Sequence, residues 1–441
     1  MRLFLFFYNL LFVPVFLVLA PTYLLRMWRR GHSTFQWRER FGILDAEKIR
    51  RIQNRGRPVL IQAVSVGEVK LAATLIGELR QRRPQCPVVI STTTITGRRL
   101  AESLDISGCE VVFHALDMPS CVKRLMTALQ PRMVLLMEQE LWPNQLAWCR
   151  RHRVPVWLIN ARLSLRSATR FRRFSRWLSP VLESLDFVGV QSERAVENFV
   201  RAGFPAHAIF PVGSMKYDVV EEAPSGLVPS WWKQTGWLPE DKVVVCGSTH
   251  PGEEAWLYHA ARGAVPGLKW VMVPRHAERA VAVCAEFRSQ GVAAVLKSSM
   301  VSSLDSHADP FEVLVVDTTG ELAGLYELGW ANVIGKSFLG VGGQNFLEAA
   351  RVGRPVLFGC EMSNFEDTAR DFLESGAAIE VSDAADFKNW LKRLAEHPEE
   401  AETFGKRARN VFLERRGATR RQAGMVAGAL AASEDCMTRA N

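Results

Sequence analysis

The sequence predicts an α/β chain of two doubly wound, parallel-sheet domains preceded by an apolar N-terminal helix. Three observations carry that expectation. Short apolar runs of strand length alternate with helical stretches along the chain, the pattern of repeated βαβ units. Several of these runs end in small or polar residues able to hold a ligand, as strands of open α/β sheets do at their carboxyl ends. The 441 residues suffice for two domains of ordinary size, each with its own core.

Composition narrows the class. Hydrophobic residues make up 48% and charged residues 23%, which describes a folded protein without low-complexity tracts or a convincing internal repeat. The formal charge of +9 is unevenly placed. Arg26, Arg29, Arg30, Arg38 and Arg40 stand near the start; Arg162, Arg166, Arg170, Arg172, Arg173 and Arg176 form a second group. Such clusters suit anionic lipid, nucleic acid or a phosphorylated substrate. The eight cysteines show neither CxxC nor Cys/His ligand spacing, which argues against a zinc site or a disulfide framework and for free thiols in a reducing compartment.

The first element is the uncharged run Leu3 to Leu25, 23 residues long, followed at once by Arg26, Arg29 and Arg30. That length reaches across or deep into a bilayer, and the cationic flank places the main body in the cytoplasm. A cleaved signal peptide is disfavoured by Pro21 directly after Ala20; Pro14 and Pro21 leave open an embedded segment that does not fully span. The expected division is a membrane anchor over 1–30, a first α/β domain over 31–215, a second over 216–420 and a C-terminal tail over 421–441.

In the first domain Pro58 to Ala63 reads as a buried strand, and Ser65-Val66-Gly67-Glu68 opens a helix through Leu71, Leu75, Ile76 and Leu79. Glu68 is then a helix-dipole partner or a general base at the sheet's carboxyl edge. Further strands are expected at Pro87–Ile90, Val111–Phe113, Met133–Met137, Val156–Ile159 and Phe187–Val190. Glu138 and Glu140 follow the strand at 133–137 and fall on the same edge as Glu68. Beyond Asn160-Ala161-Arg162-Leu163-Ser164, the residues Phe171, Phe174, Trp177 and Leu178 interleave with arginines, a pattern fitted to lipid and phosphate. No recognised nucleic-acid module accompanies those charges.

Lys216 closes the first half with a cation at the expected crevice, and the stretch Glu221 to Gly236 reads as a connection. In the second half, strands are expected at Val243–Cys246, Trp270–Val273, Val313–Val316, a run ending near Ile334, and Pro355–Phe358. The first of these leads into Gly247 to Glu254, the second into Pro274 to Arg279, and the third into Asp317 to Leu322. The loop Val341-Gly342-Gly343-Gln344-Asn345 leads into Phe346-Leu347-Glu348-Ala349-Ala350, with glycines able to take φ > 0 and a helix end that favours an anion. Glu348, on the first turn, can accept hydrogen bonds from ribose hydroxyls. Arg275 is the side chain suited to grip a phosphate, because a guanidinium meets two of its oxygens. His250 and His276 read as ordinary loop histidines, and no motif for a metal site is present.

These junctions resemble those of the transferases of 3-deoxy-D-manno-octulosonic acid (Kdo) to lipid A precursor. The pieces that match are Gln36 to Gly42, Ser65 to Glu68, Glu138 to Asn144, Asn160 to Ser164, Gly213 to Asp218, Ser248 to His250, Val273 to Arg279, Asp317 to Leu322 and Gly342 to Glu348. They run in the family's order over nearly the whole chain. The resemblance implies a GT-B glycosyltransferase with two Rossmann-like domains facing a cleft, a CMP-Kdo donor, a lipid A precursor acceptor, no metal and no other cofactor. It places the proton acceptor at Glu68 and transition-state support at Glu138 and Lys216. Nucleotide contacts fall on Pro274, Arg275, Thr319, Gly320, Glu321, Asn345, Phe346, Leu347 and Glu348. The chain departs from the family's commonest pattern at Gln139, Lys336, Gln344 and Phe346, which stand where Thr, Gly, His and Pro are frequent.

The expected reaction is an inverting, metal-independent transfer of Kdo to a glucosamine hydroxyl at the cytoplasmic face of the inner membrane, with inner-membrane lipids as partner and no nucleic acid. A membrane-bound GT-B enzyme using a UDP-sugar, or a non-catalytic nucleotide-binding scaffold, are the alternatives.

Overall fold

The computed structural model describes residues 2–29, 36–163, 165–220, 229–302 and 310–439. Arg30, Ser164 and residues 221–228 of the expected connection lie outside the described residues, as do the side chains of Arg26, Arg29 and Arg166. The chain divides into two units, one of 1–219 with 416–441 and one of 220–415. The boundary thus falls four residues beyond the expected 215. The segment expected as a tail is instead most of a helix, Ala418–Arg439, that belongs to the first unit. Its Ala423, Val426 and Leu430 are buried in that unit's core, a helical spacing that brings one apolar face inward.

The first unit is built on β1 (Val59–Gln62), β2 (Val88–Thr92), β3 (Cys109–Phe113), β4 (Met133–Met137), β5 (Val156–Ala161), β6 (Phe187–Val190) and β7 (Ile209–Pro211). They form one parallel sheet in the order β3-β2-β1-β4-β5-β6-β7. Both faces are covered, so the central strands are apolar throughout rather than alternating. Leu60, Val134 and Leu158 enter the core on one side; Val59, Ile61 and Leu135 enter the core on the other.

The second unit repeats the plan with β8 (Val243–Thr249), β9 (Lys269–Pro274), β10 (Ala294–Leu296), β11 (Val313–Val315), β12 (Ala331–Ile334), β13 (Val356–Gly359) and β14 (Ile379–Val381). The order is β10-β11-β9-β8-β12-β13-β14, again parallel. In each sheet the chain first builds one side of its first strand, with β11 inserted between β9 and the edge strand β10 in the second, then crosses to the other side. The strand order therefore reverses between β1 and β4 in one unit and between β8 and β12 in the other. A crevice opens at such a point outside the carboxyl ends of the strands, where open α/β sheets bind ligands.

The N-terminal segment is a continuous helix, Arg2–Arg29, through Pro14 and Pro21. Phe4 packs against the core of the first unit, and Asn9 and Asn144 exchange amide hydrogen bonds of 3.2 and 2.8 Å. Leu3, Phe6, Leu10, Leu11, Val15, Leu17 and Val18 remain exposed. Among the described residues, no helix is long and apolar enough to cross a membrane.

Candidate functional site

A cluster of ionisable side chains lies at the reversal point formed by the ends of β1 and β4. Ser65 caps the helix Val66–Arg82 by accepting from the Glu68 amide at 3.2 Å. The Glu68 carboxylate folds back onto the same turn and accepts from the Val64 amide at 2.8 Å and the Ser65 hydroxyl at 2.8 Å. This is the reciprocal logic of a capping box, so the local reason for a glutamate here is real. It is not the whole reason. Burial pushes the Glu68 carboxyl up to about 7, the two hydrogen bonds pull against that shift, and the negative charges of Glu140 and Glu138 add to it. A carboxyl poised near neutrality is what proton transfer at physiological pH needs.

Glu138 follows β4 directly and holds φ at 56°, in the left-handed region that a non-glycine residue seldom occupies. Its Oε1 lies 3.6 Å from Lys216 Nζ. Burial, reinforced by the charge of Arg162, draws the Lys216 ammonium below its ordinary value, while Glu138 opposes that shift. The three residues expected in catalysis are therefore brought together in the first unit by the ends of β1 and β4 and the turn Met215–Tyr217.

Asn160 holds these pieces in register. It is fully buried, at the end of β5, with φ 55°. Its Oδ1 accepts from the Met215 amide at 3.0 Å, its Nδ2 reaches Glu138 Oε1 at 3.4 Å, and its backbone amide donates to Gln422 Oε1 at 3.0 Å. Asp218 then accepts from the amides of Gly417 and Thr419, at 2.6 and 2.7 Å, and fixes the start of the C-terminal helix. The sequence supplied Asn160 and Asp218 only as parts of motifs, and Gln422 not at all. A buried Asn or Gln with a single polar face has no periodic signal.

In the second unit the expected nucleotide residues occupy several strand ends. Pro274 ends β9 buried, and Arg275 follows with an exposed side chain and an amide that donates to Thr249 O at 3.0 Å. Among the described residues, Arg275 forms no ion pair. Thr319 and Gly320 lie exposed after β11, with Gly320 at φ 87°. The Glu321 carboxylate is already engaged by Lys297 and, at 2.5 Å, by the Thr318 hydroxyl. Burial alone would raise its pKa; those bonds bring it below the usual carboxylate range.

Gly342 and Gly343 take the positive φ expected of them, 111° and 67°. The helix they lead into, Leu347–Arg351, has only five residues, so its N-terminal field is that of little more than one turn. Phe346 and Leu347 are fully buried, and Phe346 packs on Phe358 and Phe372 with ring centroids 5.4 and 5.0 Å away. Neither presents a surface to a ligand, and the Leu347 amide donates to Asn345 Oδ1 at 3.2 Å; Asn345 is exposed and Glu348 half-buried. Among the described residues, no group of three or more His, Cys, Asp or Glu side chains is placed to hold a metal ion.

The apolar and arginine-rich segment forms two helices, Leu165–Arg173 and Ser175–Leu182. Phe171 turns into the core, whereas Phe174 and Trp177 stay 53% and 52% exposed beside exposed Arg170, Arg172, Arg173 and Arg176. Trp177 meets Phe7 of the N-terminal helix edge to face at 6.1 Å.

Comparison with known proteins converges on one family. A family model described as 3-deoxy-D-manno-octulosonic-acid transferase (kdotransferase) matches residues 35–219. The chain is 33% identical to the 3-deoxy-D-manno-octulosonic acid transferase of Bordetella pertussis over 91% of its own length and 95% of that protein's. It is 28% identical to the enzyme of the same name from Haemophilus influenzae, over 82% and 85%. Among solved structures, a UDP-N-acetylglucosamine 2-epimerase superposes with a TM-score of 0.55 at 17% identity, covering 81% of this chain and 94% of that one. Anabaena Alr3699/HepE in complex with UDP gives 0.56 at 15%, covering 84% and 100%. These two share the fold. The extent and identity of the sequence matches, on top of that fold, make this chain a member of the 3-deoxy-D-manno-octulosonic-acid transferase family.

Proposed function

We propose that the protein transfers Kdo from CMP-Kdo to a glucosamine hydroxyl of lipid A precursor, in lipopolysaccharide biosynthesis, with inversion at the sugar. The observation that carries this reading is the buried Glu68, held near neutrality at the reversal point between β1 and β4 beside Glu138 and Lys216. In the proposed step the acceptor oxygen bonds to the anomeric carbon of Kdo as the bond from that carbon to the phosphate oxygen breaks. CMP leaves with the electron pair, and Glu68 takes the hydroxyl proton. Lys216, partly neutralised by Glu138, is the cation available for charge that develops on the sugar carboxylate or the departing phosphate. The exposed Arg275 guanidinium is the group in the second unit suited to the phosphate.

The exposed apolar side chains of the N-terminal helix, together with Phe174, Trp177 and the arginines around them, support attachment to an anionic lipid surface. We place the protein at the cytoplasmic face of the inner membrane, where an acyl-anchored acceptor keeps its chains in the lipid. The test is mass analysis of lipid A precursor incubated with the purified protein and CMP-Kdo, with UDP-sugars as the competing donors. The expected product carries added Kdo only from CMP-Kdo. A product formed from a UDP-sugar and none from CMP-Kdo would overturn the reading.

A further inference from the structure

At the reversal point of the second sheet the ends of β8 and β12 are pressed together. A Cβ on Gly335 would lie 2.5 Å from the Ser248 carbonyl oxygen and from Thr249 Cα, so only glycine permits this approach. The next residue, Lys336, adopts φ 61°, and Ser248, which faces Gly335, adopts φ 55°. For a residue with a Cβ that conformation costs about 1 kcal/mol. A glycine would remove this steric cost, so a lysine at this position calls for a reason outside the backbone.

The usual device for holding an anion at such a point is a set of free main-chain amides. Here it is largely taken. Glu253, fully buried on the first turn of the helix Glu253–Ala261, accepts from the amides of His250 at 2.8 Å, Lys336 at 2.6 Å, Phe338 at 3.2 Å and Leu339 at 3.4 Å. Negative charge already sits where the helix end would attract a phosphate. An incoming anion must therefore be met by side-chain cations. Among the described residues, Arg279 and Lys297 at this edge are already paired with Glu254 and Glu321; Arg275 at the end of β9 and Lys336 at the end of β12 stand two strand spacings apart across β8, or about 10 Å. Lys336 is half-buried and forms no ion pair among the described residues. Its carbonyl accepts from Gly343 N at 3.0 Å, which ties it to the glycine loop. Burial lowers the His250 pKa, Glu253 opposes that shift and the charge of Lys336 adds to it; His250 Nε2 lies 3.2 Å from Gln344 Nε2.

We infer that Lys336 is an anion-binding residue of the donor site, its ammonium held at the β8–β12 crevice to meet the phosphate or the carboxylate of a nucleotide-linked acidic sugar. The inference rests on the reading of the second unit as the donor-binding half.

The test uses the full-length protein and three variants. K336Q removes the charge but keeps a polar side chain, one atom shorter, and the backbone demand; K336R keeps the charge, and K336G removes the charge and suits the backbone. Affinity is measured by calorimetry for CMP and for cytidine, and KM for CMP-Kdo by transfer. Loss of one charge-assisted hydrogen bond corresponds to about tenfold or more. K336Q and K336G are expected to weaken CMP by that factor with cytidine unchanged, while K336R stays near wild type. If CMP binding holds but KM for CMP-Kdo rises about tenfold, the group met is the sugar carboxylate. K336Q matching wild type for both ligands overturns the inference and leaves the donor assignment standing. Wild-type protein that binds no CMP removes the donor assignment itself.

Discussion

Lys216 Nζ lies 3.6 Å from Glu138 Oε1, and both side chains are only about one-fifth exposed. Removing either one alone leaves its partner's charge half-buried with a single polar neighbour fewer, whereas removing both leaves no charge uncompensated. The double substitution E138Q/K216M should therefore cost less stability than the two single changes added together, by about 1 kcal/mol or more in a thermal or denaturant cycle. Each change, alone or combined, should lower kcat by about a hundredfold or more.

The carboxyl of Glu68 titrates near 7 when folded and near the ordinary glutamate value of about 4.3 when unfolded. The folded chain then binds more protons than the unfolded chain between those values, so this group's contribution to stability falls as pH rises through the window and stays low above 7. Glutamine cannot ionise. The gap in unfolding free energy between E68Q and wild type should widen in favour of the variant from pH 5 to pH 8, by at most about 3 kcal/mol. A gap independent of pH would show that Glu68 titrates as an ordinary carboxylate.

Asn160 acts through its neighbours. Asn160→Ala removes acceptors and donors that serve the Met215 amide and Glu138, and should cost about 2 kcal/mol of stability. Because it orients Glu138 and the turn carrying Lys216, kcat should fall by more than tenfold while KM for the donor stays within about twofold. Asn160→Asp, which keeps the acceptor for the Met215 amide, should recover stability better than it recovers kcat.

Glu39 sits between Lys48, at 2.9 Å, and Arg98, and also accepts from the Phe113 amide at 2.9 Å. Burial would raise its pKa; the amide and the two cations hold it below the usual range. Glu39→Ala leaves two cations poorly solvated and should destabilise the protein by about 3 kcal/mol. The loss should be smaller in acid, where Glu39 is protonated and its contribution is already gone.

The arginines beside Phe174 and Trp177 carry a prediction about lipid. Replacing Arg170, Arg172, Arg173 and Arg176 together by Gln should reduce binding to vesicles rich in anionic lipid by about tenfold or more at low salt, and the wild-type advantage should shrink as salt rises. Equal binding by variant and wild type in cosedimentation would remove this surface from the membrane contact.

Much of the fold was legible because both sheets are parallel and covered on both faces, so their central strands are dense apolar runs. The strands not foreseen, β7, β10 and β14, are three residues each and lie at sheet edges, too short to show a period; in β14 Glu380 interrupts the run. The C-terminal helix read as a tail because its buried face mixes Ala418, Thr419, Gln422 and Ala423 with only two large apolar residues, Val426 and Leu430, which gives little hydropathy signal. At the site, Glu68, Glu138, Lys216 and Arg275 were legible as charges at strand ends. Phe346 and Leu347 show the limit: a motif names positions, but here both residues are fully buried in the core. The tasks of Asn160, Gln422 and Glu253 depend on contacts between segments far apart in sequence, and no local pattern records them.

The most direct test of the central claim, that Glu68 accepts the acceptor's proton, is the transfer rate of Glu68→Gln measured alongside its affinity for CMP. The account predicts a fall in kcat of about a thousandfold or more with CMP affinity within about twofold of wild type. Turnover within tenfold of wild type, with the fold intact, would contradict it.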